Sequence, residues 1–191
     1  MVIEDSSFAT NIAGLDGGGL GLFSGSIQVS SSTFSNNVAG DDGGGLYAET
    51  VAPPTAGEDP SEITLSLFFG NTAVDGGGLY LLDFGGEVTR NDIAGNTVDD
   101  GNPTAAEAQG GGIFLSDTDD PHYSSSALLA NNLLNANTAD RGAALHISNT
   151  SPTVENNTMV DNVANGPTDP TTLRIWQGTY RNNIIALGTG Y

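Results

Sequence analysis

Three sets of side chains in this sequence are of types that could do chemistry. Asp16, Asp42 and Asp75 each stand directly before a glycine triplet, as in Asp42-Gly43-Gly44-Gly45-Leu46 and Asp75-Gly76-Gly77-Gly78-Leu79. Carboxylates one strand spacing apart repel each other, and calcium, an oxygen-seeking cation, would relieve that repulsion. The alternative is that each Asp bonds its own turn. A second set is Arg141, His146 and Arg174, with Asp99, Asp100 and Asp140 nearby in sequence. A lyase needs a base for a proton and a cation to stabilise the enolate. A glycosidase needs paired carboxylates, of which Asp99 and Asp100 could supply one half. The third set is flat: Tyr47, Tyr80, Phe114, His146 and Trp176. Such rings could carry sugars, or could simply reflect the aromatic preference of strands.

What positions these residues is a repeat. Anchoring each copy on one apolar residue gives Phe8, Phe34, Phe68, Ile93, Leu134, Met159 and Ile185. The steps are 26, 34, 25, 41, 25 and 26 residues, a base period of 25 or 26 with two enlarged copies. Three residues after the anchor stands Asn11, Asn37, Asn71, Asn96, Asn137 or Asn162. Two before it stands Ser6, Ser32, Ser66, Asn91, Asn132, Asn157 or Asn183. Local alternation, as in Leu79-Tyr80-Leu81, is a strand period, and no segment sustains a 3.6-residue period. Helix formers are scarce, while Gly, Asn, Ser, Thr and Asp abound.

These columns predict an all-β fold, a single-stranded right-handed parallel β-helix of six to seven coils, each turn made of three short strands. Coils stacked at about 4.8 Å would bring like residues into ladders. The Asn column is expected to face inward and bond the backbone groups left unpaired at a corner. Residues 1–191 read as one domain, part of a longer stack. Phe-x-x-Asn followed by Gly-Gly-Gly-Leu, clearest over Phe34–Leu46 and Phe68–Leu79, resembles the repeat of polymorphic outer-membrane proteins and of bacterial right-handed β-helix proteins. That resemblance implies an extracellular or outer cell-surface location and, often, an adhesin. The same pectate-lyase-like fold also houses polysaccharide-cleaving enzymes, so fold alone does not fix function. The Asn-x-Asp, Gly-His-Gly and Arg-x-Lys signatures of the polygalacturonase-like members are absent, and the chain has no Lys.

Composition narrows the partners. Four basic and 23 acidic residues give a formal net charge of -19, which repels nucleic acid and anionic membrane. With no Cys there is no disulfide framework and no thiolate site. No apolar run is long enough for a membrane-spanning helix, and no basic-then-apolar leader opens the chain. Insertions fall at 50–61, 99–109, 117–126 and 165–171, on both sides of the Gly-Leu strand, which would make that face a groove. The reading is therefore a structural or adhesive module that binds a glycan or a protein partner there. A polysaccharide lyase or glycoside hydrolase in the same groove is one alternative, a pure spacer another. Open strand edges at the outer coils predict end-to-end association.

Overall fold

The computed structural model describes residues 1–51, 61–101, 108–118, 126–167, 171–175 and 177–186. These contain 26 short strands and no helix. The strands form four parallel sheets, here A to D in the order the chain visits them, with seven, seven, six and six strands. Each coil adds one strand to each sheet before stacking on the next, so the chain winds as a right-handed parallel β-helix. The anchors stack in register: Phe8, Phe34, Phe68, Ile93, Leu134, Met159 and Ile185 pair successively along sheet B. The expected three strands per coil become four. The extra one is the two-residue strand after the Asn corner, such as Thr72–Ala73 or Thr97–Val98 in sheet C. A run that short gives no period to read in sequence. Most of the insertions at 50–61, 99–109, 117–126 and 165–171 lie outside the described residues.

Apolar residues of sheets A, B and D fill the interior. Phe8, Phe34 and Phe68 stack with centroids 4.8 Å apart and planes within 5°. Phe34 and Phe68 are fully buried, each contributing about 3 kcal/mol of burial. The Asn column lines the B–C corner. Asn37 and Asn71 each donate their N–H and their Nδ2 to the Oδ1 of the Asn one coil on, at 2.9–3.0 Å. Nδ2 also donates to the carbonyl of the anchor in the coil before, as Asn71 does to Phe34 at 2.9 Å. Primary amides suit this column because they donate twice and accept twice. The Ser and Asn residues before the anchors do the same at the A–B corner: Ser6 N–H donates to Ser32 Oγ at 3.1 Å, and Ser66 N–H to Asn91 Oδ1 at 3.0 Å.

The A–B corner is turned by a left-handed residue in every coil. Asp5, Ser31, Leu65, Arg90, Asn131, Asn156 and Asn182 have φ between 46° and 59°. Asn tolerates that region well, whereas Leu65 does not, and its side chain is exposed. Leu65→Asn is therefore expected to stabilise the fold by about 1 kcal/mol, read as a higher denaturation midpoint with an unchanged denaturant slope. A lower midpoint would show that the Leu65 side chain has a packing role.

Candidate functional site

Sheet D carries the candidate face. Its strands run Leu20–Leu22, Leu46–Val51, Leu79–Phe84, Ile113–Ser116, Leu145–Ser148 and Leu173–Arg174. Two of them reach six residues, where other sheets have strands of two or three. Alternation sends Leu46, Leu79, Ile113 and Leu145 inward, all fully buried. The residues between them point outward and pair rung by rung: Gly21, Tyr47, Tyr80, Phe114, His146 and Arg174. The first glycine of each triplet turns the C–D corner at the foot of this column. Gly76 has φ 63°, and a Cβ there would lie 2.7 Å from the Cβ of Tyr80. The second and third glycines have ordinary φ and are small because the next coil lies close: a Cβ on Gly78 would meet the Gly112 carbonyl at 2.5 Å.

The expected aromatic column is thus present, but its ring faces are occupied. Tyr47 and Tyr80 stack at 5.3 Å and 16°, Tyr80 and Phe114 at 4.7 Å and 7°, Phe114 and His146 at 5.0 Å and 24°. Each ring spends its faces on its neighbours, so the exposures of Tyr47, Phe114 and His146 are only 6%, 8% and 3%. A sugar that stacks needs an open ring face. The nearest one belongs to Phe23, which is exposed and leans over Tyr47 at 5.3 Å and 40°. Trp176 lies outside the described residues.

The acidic column stands one corner away. The backbones of Asp42 and Asp75 bridge each other. Asp16 Oδ1 accepts the N–H of Asp42 at 3.3 Å, and Asp75 Oδ1 accepts that of Gln109 at 2.6 Å. The Tyr80 hydroxyl lies near enough to the Asp42 carboxylate for each to shift the other, and the Tyr47 hydroxyl donates to Glu49 at 3.0 Å. Burial, then the charges of Asp75, Asp41 and Asp16, push Asp42 up to about 7. Burial and the neighbouring carboxylates push the Tyr80 hydroxyl upward as well. Among the described residues, no three His, Cys, Asp or Glu side chains converge as a metal site. The calcium expected at Asp16, Asp42 and Asp75 therefore finds no support: Asp16 and Asp75 bond the backbone of the next coil, and Asp42 lies beside the Tyr80 hydroxyl. The link between Tyr80 and Asp42 in the preceding coil was missed in the sequence. Its signal was the constant five-residue offset of Asp42 from Tyr47 and of Asp75 from Tyr80.

The acid–base candidates occupy two places. Asp99, Asp100 and Asp140 line a cleft of about 240 Å³ with Thr97, Thr138 and Asn165. His146 belongs to the ring ladder, and Arg174 and Arg141 lie near enough to act on its charge. Burial first, then these two guanidiniums, lower His146 to about 4. Its Nδ1 is buried without a hydrogen-bond partner. A general base must come within hydrogen-bonding reach of its substrate, and a ring 3% exposed offers no such approach.

Residues 23–190 match the family model described as periplasmic copper-binding protein (NosD). No curated protein and no solved structure matches.

Proposed function

The chain belongs to the NosD family, and from that membership we propose that residues 1–191 form an extracytoplasmic β-helix module that binds a partner across the rims of sheet D. The carrying observation is the placement of the insertions. They leave and rejoin the chain at both ends of sheet D strands, beside the two longest strands of the fold. The family's description names the periplasm, which supports a location outside the cytoplasm. Stacked ring faces disfavour a neutral glycan bound by ring stacking. The formal charge of -19 favours a cationic partner surface, protein or glycan.

The test is retention of the module on a cationic glucosamine polymer, a neutral glucan, an acidic galacturonan and a basic globular protein. Each is run with chelator at low and high salt, with products assayed for new reducing or unsaturated ends. Salt-sensitive retention on the two cationic surfaces alone is the expected result. Retention on galacturonan would overturn the charge argument. New ends that vanish in His146→Ala or Arg174→Ala would establish the enzyme reading. No retention anywhere would leave a spacer.

The outermost coils also carry exposed apolar side chains: Val2 is 62% and Ile12 82% exposed in the first, Ile184 62% and Ile185 46% in the last. A polypeptide of these residues is expected to self-associate end to end, seen as mass rising with concentration in light scattering. A concentration-independent monomer would contradict this.

A further inference from the structure

The family's description names copper, and the donor atoms of this chain do not fit it. We infer that this module holds no copper of its own, and that His146 serves the fold as an aromatic rung. Copper favours thiolate, thioether and imidazole donors. The whole sequence offers no Cys, two His and two Met. Met159 is 1% exposed in the interior of sheet B, stacked between Leu134 and Ile185. Met1 stands in the first coil, its ammonium donating to the Ser26 carbonyl at 2.7 Å. His146 points outward from sheet D in the fifth coil, so the wall of the solenoid separates it from Met159. No two of these three donors share a coil and a face.

His122 lies outside the described residues. It follows Ser116 by six positions, and Ser116 pairs with Ser148, two residues beyond His146. Chain connectivity therefore allows at most two imidazoles to meet. Any such pair would bind its cation beside Arg141 and Arg174, whose charges already weaken the hold of His146 on a proton. Those charges oppose a metal ion for the same reason. The remaining donors are carboxylates, which suit calcium, magnesium or manganese better than copper.

His146 is explained without a metal. It continues the column of Tyr47, Tyr80 and Phe114 in register, and its ring stacks on Phe114. In the experiment, the module is incubated with Cu(I) under anaerobic conditions, and separately with Cu(II). Each sample is desalted by gel filtration and its copper is measured by mass spectrometry. No stoichiometric copper should co-elute. One copper per chain, lost in His122→Ala or in His146→Phe, would overturn the inference. One copper retained by both variants would overturn it as well. Thermal melting tests the rung. His146→Phe should match or exceed the parent Tm, because it keeps a ring and removes an unpartnered nitrogen. His146→Ala should lower Tm by about 4 °C or more. Equal losses in both variants would sink the ring role. Neither arm reads partner binding, so retained copper would leave the proposed binding face standing.

Discussion

Asn71→Ala is expected to destabilise the module by about 2–4 kcal/mol, lowering its Tm by roughly 8 °C. The Asn71 side chain makes four hydrogen bonds inside the solenoid. Its Oδ1 accepts from the N–H and from Nδ2 of Asn37, both at 3.0 Å. Its Nδ2 donates to the Phe34 carbonyl and to Asn96 Oδ1, both at 2.9 Å. Truncation strands the Asn37 N–H, a buried backbone donor that water cannot reach, while the Phe34 carbonyl keeps the N–H of Phe69 in the sheet B ladder. That stranded donor costs about 1–3 kcal/mol. Asn37 Nδ2 and Asn96 Oδ1 each keep another partner, so their losses are smaller. The control is Asn11→Ala in the first coil. That side chain is exposed and gives up one described bond, from its Nδ2 to Asn37 Oδ1. Less than about 1 kcal/mol is expected there. Equal losses at the two sites would mean that the ladder does not act through buried backbone groups.

The second large effect is a change in pH dependence on Asp42→Asn. Asp42 has its folded pKa raised from 3.8 to about 7. Between those values the folded protein holds a proton that the unfolded chain has released, so stability falls as pH rises through the window. His146 acts in the opposite sense. Its folded pKa is lowered from 6.5 to about 4, so across that interval the unfolded chain binds the extra proton and stability rises with pH. The two nearly offset each other below pH 6.5, and Asp42 acts alone just above it. The parent should therefore show a shallow profile that declines toward neutrality. Asp42→Asn should remove the decline and uncover a rise between about pH 4 and 6.5. At pH 7.5 the variant should be the more stable by about 2 kcal/mol, a figure reduced from the full shift because Asp42 is partly solvated. Melting curves at half-unit pH intervals decide it. Parallel profiles for parent and variant would show that Asp42 is an ordinary solvated carboxylate.

The Asn and Ser columns could be read from sequence because their chemistry repeats. A corner leaves the same N–H unpaired in every coil, and few side chains can accept it while donating to their own counterpart and to an anchor carbonyl. Alternation along Leu79-Tyr80-Leu81 also gave the side of the sheet on which the rings lie. It could not give the tilt of the ring planes, which is a matter of side-chain torsion and of contact with the next coil. For that reason the sequence leaves open both a platform for sugars and rings stacked on one another, and only the packing shows the closed stack. The Asp42–Tyr80 contact likewise joins different coils, and neither its distance nor the burial that shifts Asp42 follows from composition. The four-strand coil was missed because strand C has two residues, too few to alternate. Of the proposed site, the location on sheet D came from the insertions, and its accessibility came only from the packing.

Each rung of the Asn ladder joins a residue to its counterpart one coil away, whether the intervening chain has 25 residues, as from Asn71 to Asn96, or 41, as from Asn96 to Asn137. The partner is therefore specified by kind and not by address. A gene that duplicated one coil in frame would give the new Asn an identical acceptor above and an identical donor below. An in-frame loss would close the gap with the same bonds. Length is thus free to drift between lineages at almost no energetic cost, in graduations of about 4.8 Å. The sheet D rims would travel with each coil, so such a chain could act as a ruler whose marks are also its binding positions.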